Sequence, residues 1–162
     1  MLIRRFLILL LLSFTPFAVG EDETKIEPEP EAEFKSPAEG DEVDHVFTAR
    51  GRTRHIPDGF VPMLFQVNPK DDFPLPSAPP FDANRTFSET IYFEEHDIGP
   101  RTLELHILPE ADAEKLAEWR QALIEWYESG QDPEARGPEP AYDPTWMHNA
   151  IGINAVAFVI KN

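Results

Sequence analysis

The stretch from Thr102 to Gly130 constrains the fold most, because a strand pattern there runs directly into a helix pattern. Leu103, Leu105 and Ile107 alternate with polar residues, which is the period-two pattern of a half-buried strand. Pro109 ends this pattern, because proline has no N–H to give to a strand ladder.

The helix that follows is predicted to be amphipathic, with apolar residues recurring at helical spacing on one broad arc. Asp112 is the predicted N-cap and Gly130 the predicted stop. Arg120 projects into the apolar arc, where we expect its stem to lie along the core edge and its charge to turn outward. Trp119 and Trp126 are expected to pack against a sheet rather than to hold a ligand.

The first twenty residues have the pattern of a signal peptide. Arg4 and Arg5 precede the apolar run Phe6 to Leu12, and small residues end the segment at 18–20. The apolar run is shorter than the roughly 20 residues that a membrane span needs, and no other segment qualifies. We therefore predict a signal peptide at residues 1–20, no membrane span, and a secreted or periplasmic protein.

The net charge of −16 argues against two classes of partner. A phosphate backbone and an anionic membrane surface would both be repelled by so acidic a chain, so no nucleic-acid partner is predicted. The chain has no cysteine, which excludes disulfides and thiolate metal sites.

Composition divides the remainder of the chain into two parts. Residues 21–44 are rich in acids and proline and poor in apolar side chains, so we predict a disordered acidic spacer. Residues 45–162 are predicted to form a single α+β globular domain. The expected architecture is a small twisted antiparallel sheet of four to five strands, with one long amphipathic helix packed on a face and long proline-rich loops.

The strand patterns predict one hairpin and one strand that is buried on both faces. The segment 87–97 is predicted to form a hairpin with the strand after Thr102, because a short turn separates them. The final run 151–160 is apolar at both parities, which predicts a strand buried on two faces.

Three other features of the sequence are candidate sites. Arg50, Arg52 and Arg54 share one strand face, where they are expected to pair with nearby carboxylates, including those of the spacer, and otherwise to form an anion-binding strip. The proline-rich segment 68–83 carries phenylalanines and is expected to fold over apolar surface as a binding loop. Asn84 begins a glycosylation sequon.

The predicted hairpin places two Glu-x-His pairs on one face, and these residues with a tyrosine form the candidate ligand-binding face: Tyr92, Glu94, His96, Glu104 and His106. Two carboxylates and two imidazoles that converge would suit zinc or copper, or a general base oriented by a carboxylate. The structural alternative is that the pairs simply face each other across a solvated sheet.

A second candidate site combines Trp146, Met147 and His148 with Met63 and His45. Thioether and imidazole are the ligands left for copper when cysteine is missing, although packing in the core or a loop explains these residues as well.

The preferred functional hypothesis is an exported, non-catalytic binding or interaction module, whose partner is an unidentified protein or small ligand. No catalytic motif is present and no cofactor is required, so catalytic residues are not assigned. The alternative is a periplasmic zinc- or copper-binding protein that uses Glu94, His96, Glu104 and His106. A metal-assisted hydrolase is a third hypothesis.

Overall fold

The computed structural model describes residues 27–67, 74–129 and 138–161. Within them the chain forms eight β-strands, one α-helix and one 3-10 turn, which confirms the predicted α+β class. In chain order the elements are β1 (Glu31–Ser36), β2 (Glu42–Val43), β3 (Val46–Arg54), β4 (Phe60–Val67), β5 (Leu75–Pro76), β6 (Thr86–Tyr92), β7 (Gly99–Pro109), α1 (Glu110–Glu128), the 3-10 turn (Pro144–Met147) and β8 (Ile151–Ile160).

The strands form two sheets rather than the single sheet predicted. A three-stranded sheet has the order β1-β3-β6, and a five-stranded sheet has the order β2-β8-β7-β4-β5. The pairings are antiparallel except for the short parallel contact of β2 with β8. The two sheets face each other across one apolar core, and we call these facing surfaces their inner faces. Buried residues on the inner faces include Leu64, Leu105 and Phe158 from the larger sheet and Ala49, Phe87 and Ile91 from the smaller one.

The predicted hairpin of residues 87–108 is wrong. β6 pairs with β3, whereas β7 pairs with β4 and β8, so the two strands belong to different sheets. Ile91 of β6 and Leu105 of β7 both belong to the inner core, which they enter from opposite sheets. Alternation of apolar and polar residues specifies which face of a strand is buried, and it does not specify which strand lies beside it.

The structure also differs from the disordered spacer predicted for residues 21–44, because β1 and β2 lie within that segment. In β1, half-buried Ala32 and Phe34 alternate with exposed charged residues, a period-two pattern that the high density of acids obscured. Phe34 packs edge-on against Phe87, with ring centroids 5.9 Å apart. The domain therefore includes residues before 45. The predicted signal peptide and the first residues of the spacer lie outside the described residues.

Strand β8 is not buried on both faces as predicted. Val156, Phe158 and Ile160 point into the core, whereas Val159 on the opposite face is 36% exposed. The helix packs on β4, which is separated from β8 by β7, and β8 keeps its outer face partly open. On its inner side β8 is tied to the other sheet, because Asn154 Nδ2 donates to the carbonyl oxygen of Ala32 at 2.7 Å.

The predicted apolar arc of helix α1 packs on the outer face of the five-stranded sheet. Ala113 and Leu116 are fully buried in a cluster with Met63 and Phe65 of β4. The helix begins directly after Pro109 without a side-chain cap, so Asp112, the predicted N-cap, lies in the first turn instead.

The tryptophans of α1 mark a change in burial along the helix. Trp119 is 8% exposed, as predicted for a core residue, and its Nε1 donates to the carbonyl oxygen of Pro140. Trp126 is only half-buried, and the neighbouring Tyr127 is 55% exposed. The C-terminal half of α1 therefore extends beyond the core that covers its N-terminal half.

Gly51 of β3 marks the closest approach of backbone to a core ring. A Cβ at this position would collide with the carbonyl oxygen of Glu33 and with the ring of Phe87. We expect Gly51→Ala to lower the free energy of unfolding by about 1–3 kcal/mol, because the strand must shift to make room. Urea denaturation measures this change. The matched control is Gly152→Ala in β8, whose added Cβ would lie 3.4 Å from His106 Cε1, an ordinary contact. Equal losses in the two variants would contradict the collision.

Glu89 lies on the inward-facing side of β6, an edge strand of the three-stranded sheet. An inward-pointing charge on an edge strand discourages pairing with another chain. Burial raises the pKa of Glu89 above its ordinary value of 4.5. At pH values between the unfolded and the folded pKa, Glu89 is protonated in the folded protein and ionised in the unfolded chain. Glu89 therefore makes folding less favourable as pH rises through this interval.

We expect Glu89→Gln to increase the free energy of unfolding at pH 7 by about 0.5 kcal/mol or less, since the partly exposed carboxylate is screened by water. The gain should shrink at pH 3, where Glu89 is protonated in both states. Urea denaturation at the two pH values measures the difference. An equal gain in the free energy of unfolding at pH 7 and at pH 3 would show that it does not come from removing the half-buried charge of Glu89.

Candidate functional site

Glu104 and His106 lie side by side on the outer face of the five-stranded sheet, as the strand pattern predicted. His106 Nε2 contacts Glu104 Oε2 at 2.7 Å, and the ring packs edge-on against Phe65 at a centroid distance of 5.2 Å. The other ring nitrogen, Nδ1, is buried and has no hydrogen-bond partner among the described residues. A general base must reach its substrate, so this imidazole is poorly placed for that role.

Glu94 and His96 lie in the connection between β6 and β7 rather than on a strand. Their side chains are 70% and 79% exposed and make one contact, between His96 Nδ1 and Glu94 Oε2 at 3.3 Å. Within the described ranges, no three His, Asp or Glu side chains are grouped so that they could hold a metal ion. The two Glu-x-His pairs therefore stay separate, and each alone is short of the ligands that a zinc site needs.

The second candidate cluster also differs from its prediction. Met63 is fully buried beneath α1 with Trp146 and Met147 packed around it, so its sulfur is part of the core. His148 is exposed at the end of the 3-10 turn. This arrangement matches the packing interpretation of the cluster.

The arginine face of β3 is confirmed. Arg50 and Arg54 are exposed, and Arg52 Nη2 lies 2.6 Å from Glu33 Oε2 of β1. Glu33 belongs to the segment that was predicted to be a spacer. The ion pair agrees with the prediction that carboxylates of this segment pair with the arginine face. A depression beside the pair has a volume of about 60 Å³, which is small for an organic ligand.

Asn84, the sequon residue, is held by the backbone of Ile56. Its Oδ1 accepts from the N–H of Ile56 at 2.8 Å, and its Nδ2 donates to the Ile56 carbonyl at 3.1 Å. The left-handed conformation of Asn84, with φ of 58°, is one that asparagine tolerates. A glycan would be attached to the same nitrogen, so glycosylation stays a prediction.

A groove of about 320 Å³ lies between α1 and the ends of β4, β5 and β6, and we call it the helix groove. Its volume falls in the range of roughly 300–1,000 Å³ typical of small-molecule pockets. Apolar side chains from α1, from β5 and from the segment just after β6 line it, namely Leu75, Phe93, Trp119, Leu123 and Ile124. The groove therefore lies where the helix extends past the main core.

Two parts of the predicted binding surface contribute to the helix groove. Tyr92 and Glu94 come from the candidate ligand-binding face, and Leu75 to Ser77 come from the proline-rich segment predicted to be a binding loop. His96, Glu104 and His106 are not among its lining residues. The predicted site is thus divided between the groove and the outer sheet face.

Arg120 fastens this loop to the helix. Its Nε donates to the carbonyl oxygen of Pro76 at 3.2 Å, and its Nη2 donates to the carbonyl oxygen of Ser77 at 3.1 Å. Burial lowers the pKa of Arg120 from its ordinary value of 12.5. The guanidinium therefore turns toward the loop and the groove, which differs from the outward orientation expected from the helix pattern.

Two polar atoms in the helix groove have no partner among the described residues. Ser77 is 6% exposed and its Oγ is buried without a hydrogen bond, and Gln66 Oε1 is in the same situation. A buried polar atom without a partner costs about 1–3 kcal/mol. Both residues line the groove, but these two atoms have almost no solvent-accessible surface, so a ligand would reach them only after their side chains turn.

The outer end of the helix groove carries aromatic and acidic groups. Tyr92 is 64% exposed and Tyr127 is 55% exposed, so two large rings border the groove. Asp97 is paired with Arg101 at 2.9 Å, whereas Glu94 faces the solvent. The groove thus combines apolar walls, a cation inside and carboxylates near its rim.

A scan against protein-family models and a search of curated proteins found no match to this chain. None of the helices within residues 27–67, 74–129 and 138–161 is long and apolar enough to cross a bilayer. The fold and the groove together describe a two-sheet α+β domain with a ligand-sized groove beside its helix.

The sequence did not indicate Arg120 or Gln66 as site residues, and it included Ser77 only as part of the predicted binding loop 68–83. The sequence feature that could have indicated this site is the position of Arg120 within the apolar arc of an otherwise regular amphipathic helix. A charge in that position needs polar partners from another segment. The sequence does not show that the partners are two carbonyl groups of the proline-rich loop.

Removing the Arg120 guanidinium should loosen the loop. We expect Arg120→Met to lower the free energy of unfolding by about 1–3 kcal/mol, because the Pro76 and Ser77 carbonyls lose their donor while the stem is kept. The control is Arg85→Met, which removes an exposed ion pair with Asp82 and should change stability by less than about 1 kcal/mol.

Urea denaturation measures both variants, and hydrogen exchange of the Ser77 amide reports the loop directly. That amide donates to the Leu64 carbonyl at 2.8 Å in the folded protein. Exchange at Ser77 that is as slow in Arg120→Met as in the wild type would show that Arg120 does not hold the loop.

Proposed function

We propose that the protein is an exported, non-catalytic binding module whose ligand occupies the helix groove. The observation that carries this proposal is a groove of ligand size with apolar walls and the half-buried Arg120 among its lining residues. Apolar walls with a few convergent polar groups are the usual composition of a small-molecule site.

The chemistry of the groove supports binding rather than catalysis. A nucleophilic serine needs a general base within hydrogen-bond reach. Ser77 Oγ has no hydrogen-bond partner of any kind within the described part of the chain. Ser77 therefore has no base among the described residues to activate its hydroxyl, and that hydroxyl is closed off from solvent, so it is not placed as a nucleophile.

The aromatic rim supports the same proposal. Tyr92 and Tyr127 remain more than half exposed although large rings usually bury most of their area. Tyrosine is enriched at binding surfaces because it combines a large apolar face with a hydroxyl group and few rotatable bonds. The two rings would close over part of a ligand that enters between them.

Export is supported by the pattern of the first twenty residues, a basic pair followed by an apolar run and small residues. The high negative charge is compatible with a soluble receptor for small molecules, and it disfavours polyanionic partners. The proposed module would therefore act outside the cytoplasm.

A groove-filling substitution tests the site. Leu123→Trp should place a larger side chain in the groove and weaken ligand binding by about tenfold or more, because the ligand and the added ring compete for the same volume. The matched control is Glu118→Trp, the same replacement at an exposed position on the other side of α1. Ligand-observed NMR against a panel of small apolar acids, amines and neutral amides identifies binders, and calorimetry measures their affinities.

The expected result is at least one binding class that is weakened in Leu123→Trp and unchanged in Glu118→Trp. The proposed function is refuted if no compound of the panel binds, or if the binders are insensitive to Leu123→Trp. Thermal unfolding of both variants verifies that the helix remains packed.

A further inference from the structure

Arg120 is unusual among the arginines of this acidic chain. Arg52, Arg85 and Arg101 each have a carboxylate within 3 Å, and Arg50 is exposed to water. Arg120 is half-buried, and no carboxylate of the described residues lies within 4.0 Å of its guanidinium. In a chain of net charge −16, a half-buried cation without a counterion needs an explanation.

The hydrogen bonds of Arg120 leave part of the guanidinium available. Nε and one N–H of Nη2 are used by the carbonyls of Pro76 and Ser77, and these neutral acceptors do not cancel the charge. Nη1 and the second N–H of Nη2 form the edge of the fork that binds a carboxylate through two parallel hydrogen bonds. Arg120 is also one of the residues that line the helix groove.

Ser77 supplies a second group for an anion in the same place. Its carbonyl oxygen is bonded to Arg120 Nη2, which brings its backbone next to the guanidinium. Its hydroxyl has no partner in the described residues and is closed off from solvent, so a rotation about χ1 has to turn it toward the groove before it donates to an anionic oxygen. The desolvation that lowers the pKa of Arg120 would strengthen its attraction to an anion.

We propose that the ligand of the helix groove is a small monocarboxylate with an apolar body. Its carboxylate binds Arg120 and the Ser77 hydroxyl, and its apolar part lies against Leu123 and Ile124 of α1. This inference rests on the proposed function, because it specifies the ligand class of the same groove. Arg120 then has two roles: it holds the loop through its hydrogen bonds to Pro76 and Ser77, and it binds the carboxylate of the ligand.

The acidic groups at the rim limit the ligand to one carboxylate. Glu94 and Asp97 both line the groove. Asp97 is neutralised by Arg101, whereas Glu94 makes only an exposed contact with His96. A second carboxylate at the outer end of a ligand would meet the charge of Glu94 and would be repelled.

Matched ligands test the proposal on the unchanged protein. The probes are octanoate, octanamide, octylammonium and octanedioate, which share one chain length and differ in the charge of their ends. Octanoate should bind at least about tenfold more tightly than octanamide, as expected for hydrogen bonds made to a charged rather than a neutral group. Octylammonium and octanedioate should bind more weakly than octanoate. Calorimetry and the fluorescence change of the tryptophans measure the four affinities at pH 7.

Two variants assign the preference to the groove. Arg120→Gln should abolish the preference for octanoate over octanamide, and Ser77→Ala should reduce it. Arg85→Gln removes a paired arginine that does not line the groove and should leave the preference unchanged. If Arg120→Gln fails to fold, the ligand series and Ser77→Ala still decide the outcome.

The results separate this inference from the proposed function. Binding of octanamide or octylammonium that matches octanoate, and that is weakened by Leu123→Trp, would overturn the carboxylate assignment and leave the groove as a binding site. A preference for octanoate that persists in Arg120→Gln would also overturn it. Absence of binding by all four probes, together with no binder in the wider panel, would overturn both.

Discussion

Strand β7 is the element on which the remainder of the structure depends. It is paired with β4 on one side and with β8 on the other, and its Leu103, Leu105 and Ile107 are fully buried. It leads without a loop into α1, whose first amide donates to the Gly59 carbonyl at 3.0 Å. The position of the helix is therefore set by the same strand that closes the core. A strand whose inner face is buried and that is paired at both edges is difficult to displace.

The helix groove exists because α1 is longer than the surface that it covers. Ala113 and Leu116 pack fully on β4, while Leu123 and Ile124 lie further along and are only half-buried. The described part of the proline-rich loop borders this space, and Arg120 joins it to the helix through the Pro76 and Ser77 carbonyls. An incomplete contact between a helix and a loop, with buried polar atoms inside, is a structural basis for ligand binding in a domain of this size.

Local patterns were reliable wherever the side chains themselves set the structure. The alternation of Leu103 and Leu105 with polar residues, the apolar arc that buries Trp119, and the arginine face of β3 were all predicted and found. The patterns failed where a choice of partner was needed. The alternating patterns of β6 and β7 are equally compatible with one hairpin and with strands of two different sheets. In β1 the density of acidic residues favoured a disordered segment, although half-buried Phe34 alternates there with charged residues as in a strand.

The sequence by itself therefore determined the class of fold, the faces of its strands and helix, and the acidic character of the molecule. Only the tertiary structure decided that Glu104 and His106 lie apart from Glu94 and His96, and that Arg120 meets Ser77 across 43 positions of the chain. The physical reason is that periodicity reports burial, which each segment expresses alone. A site depends on which distant segments pack together, and many pairings bury the same apolar residues equally well.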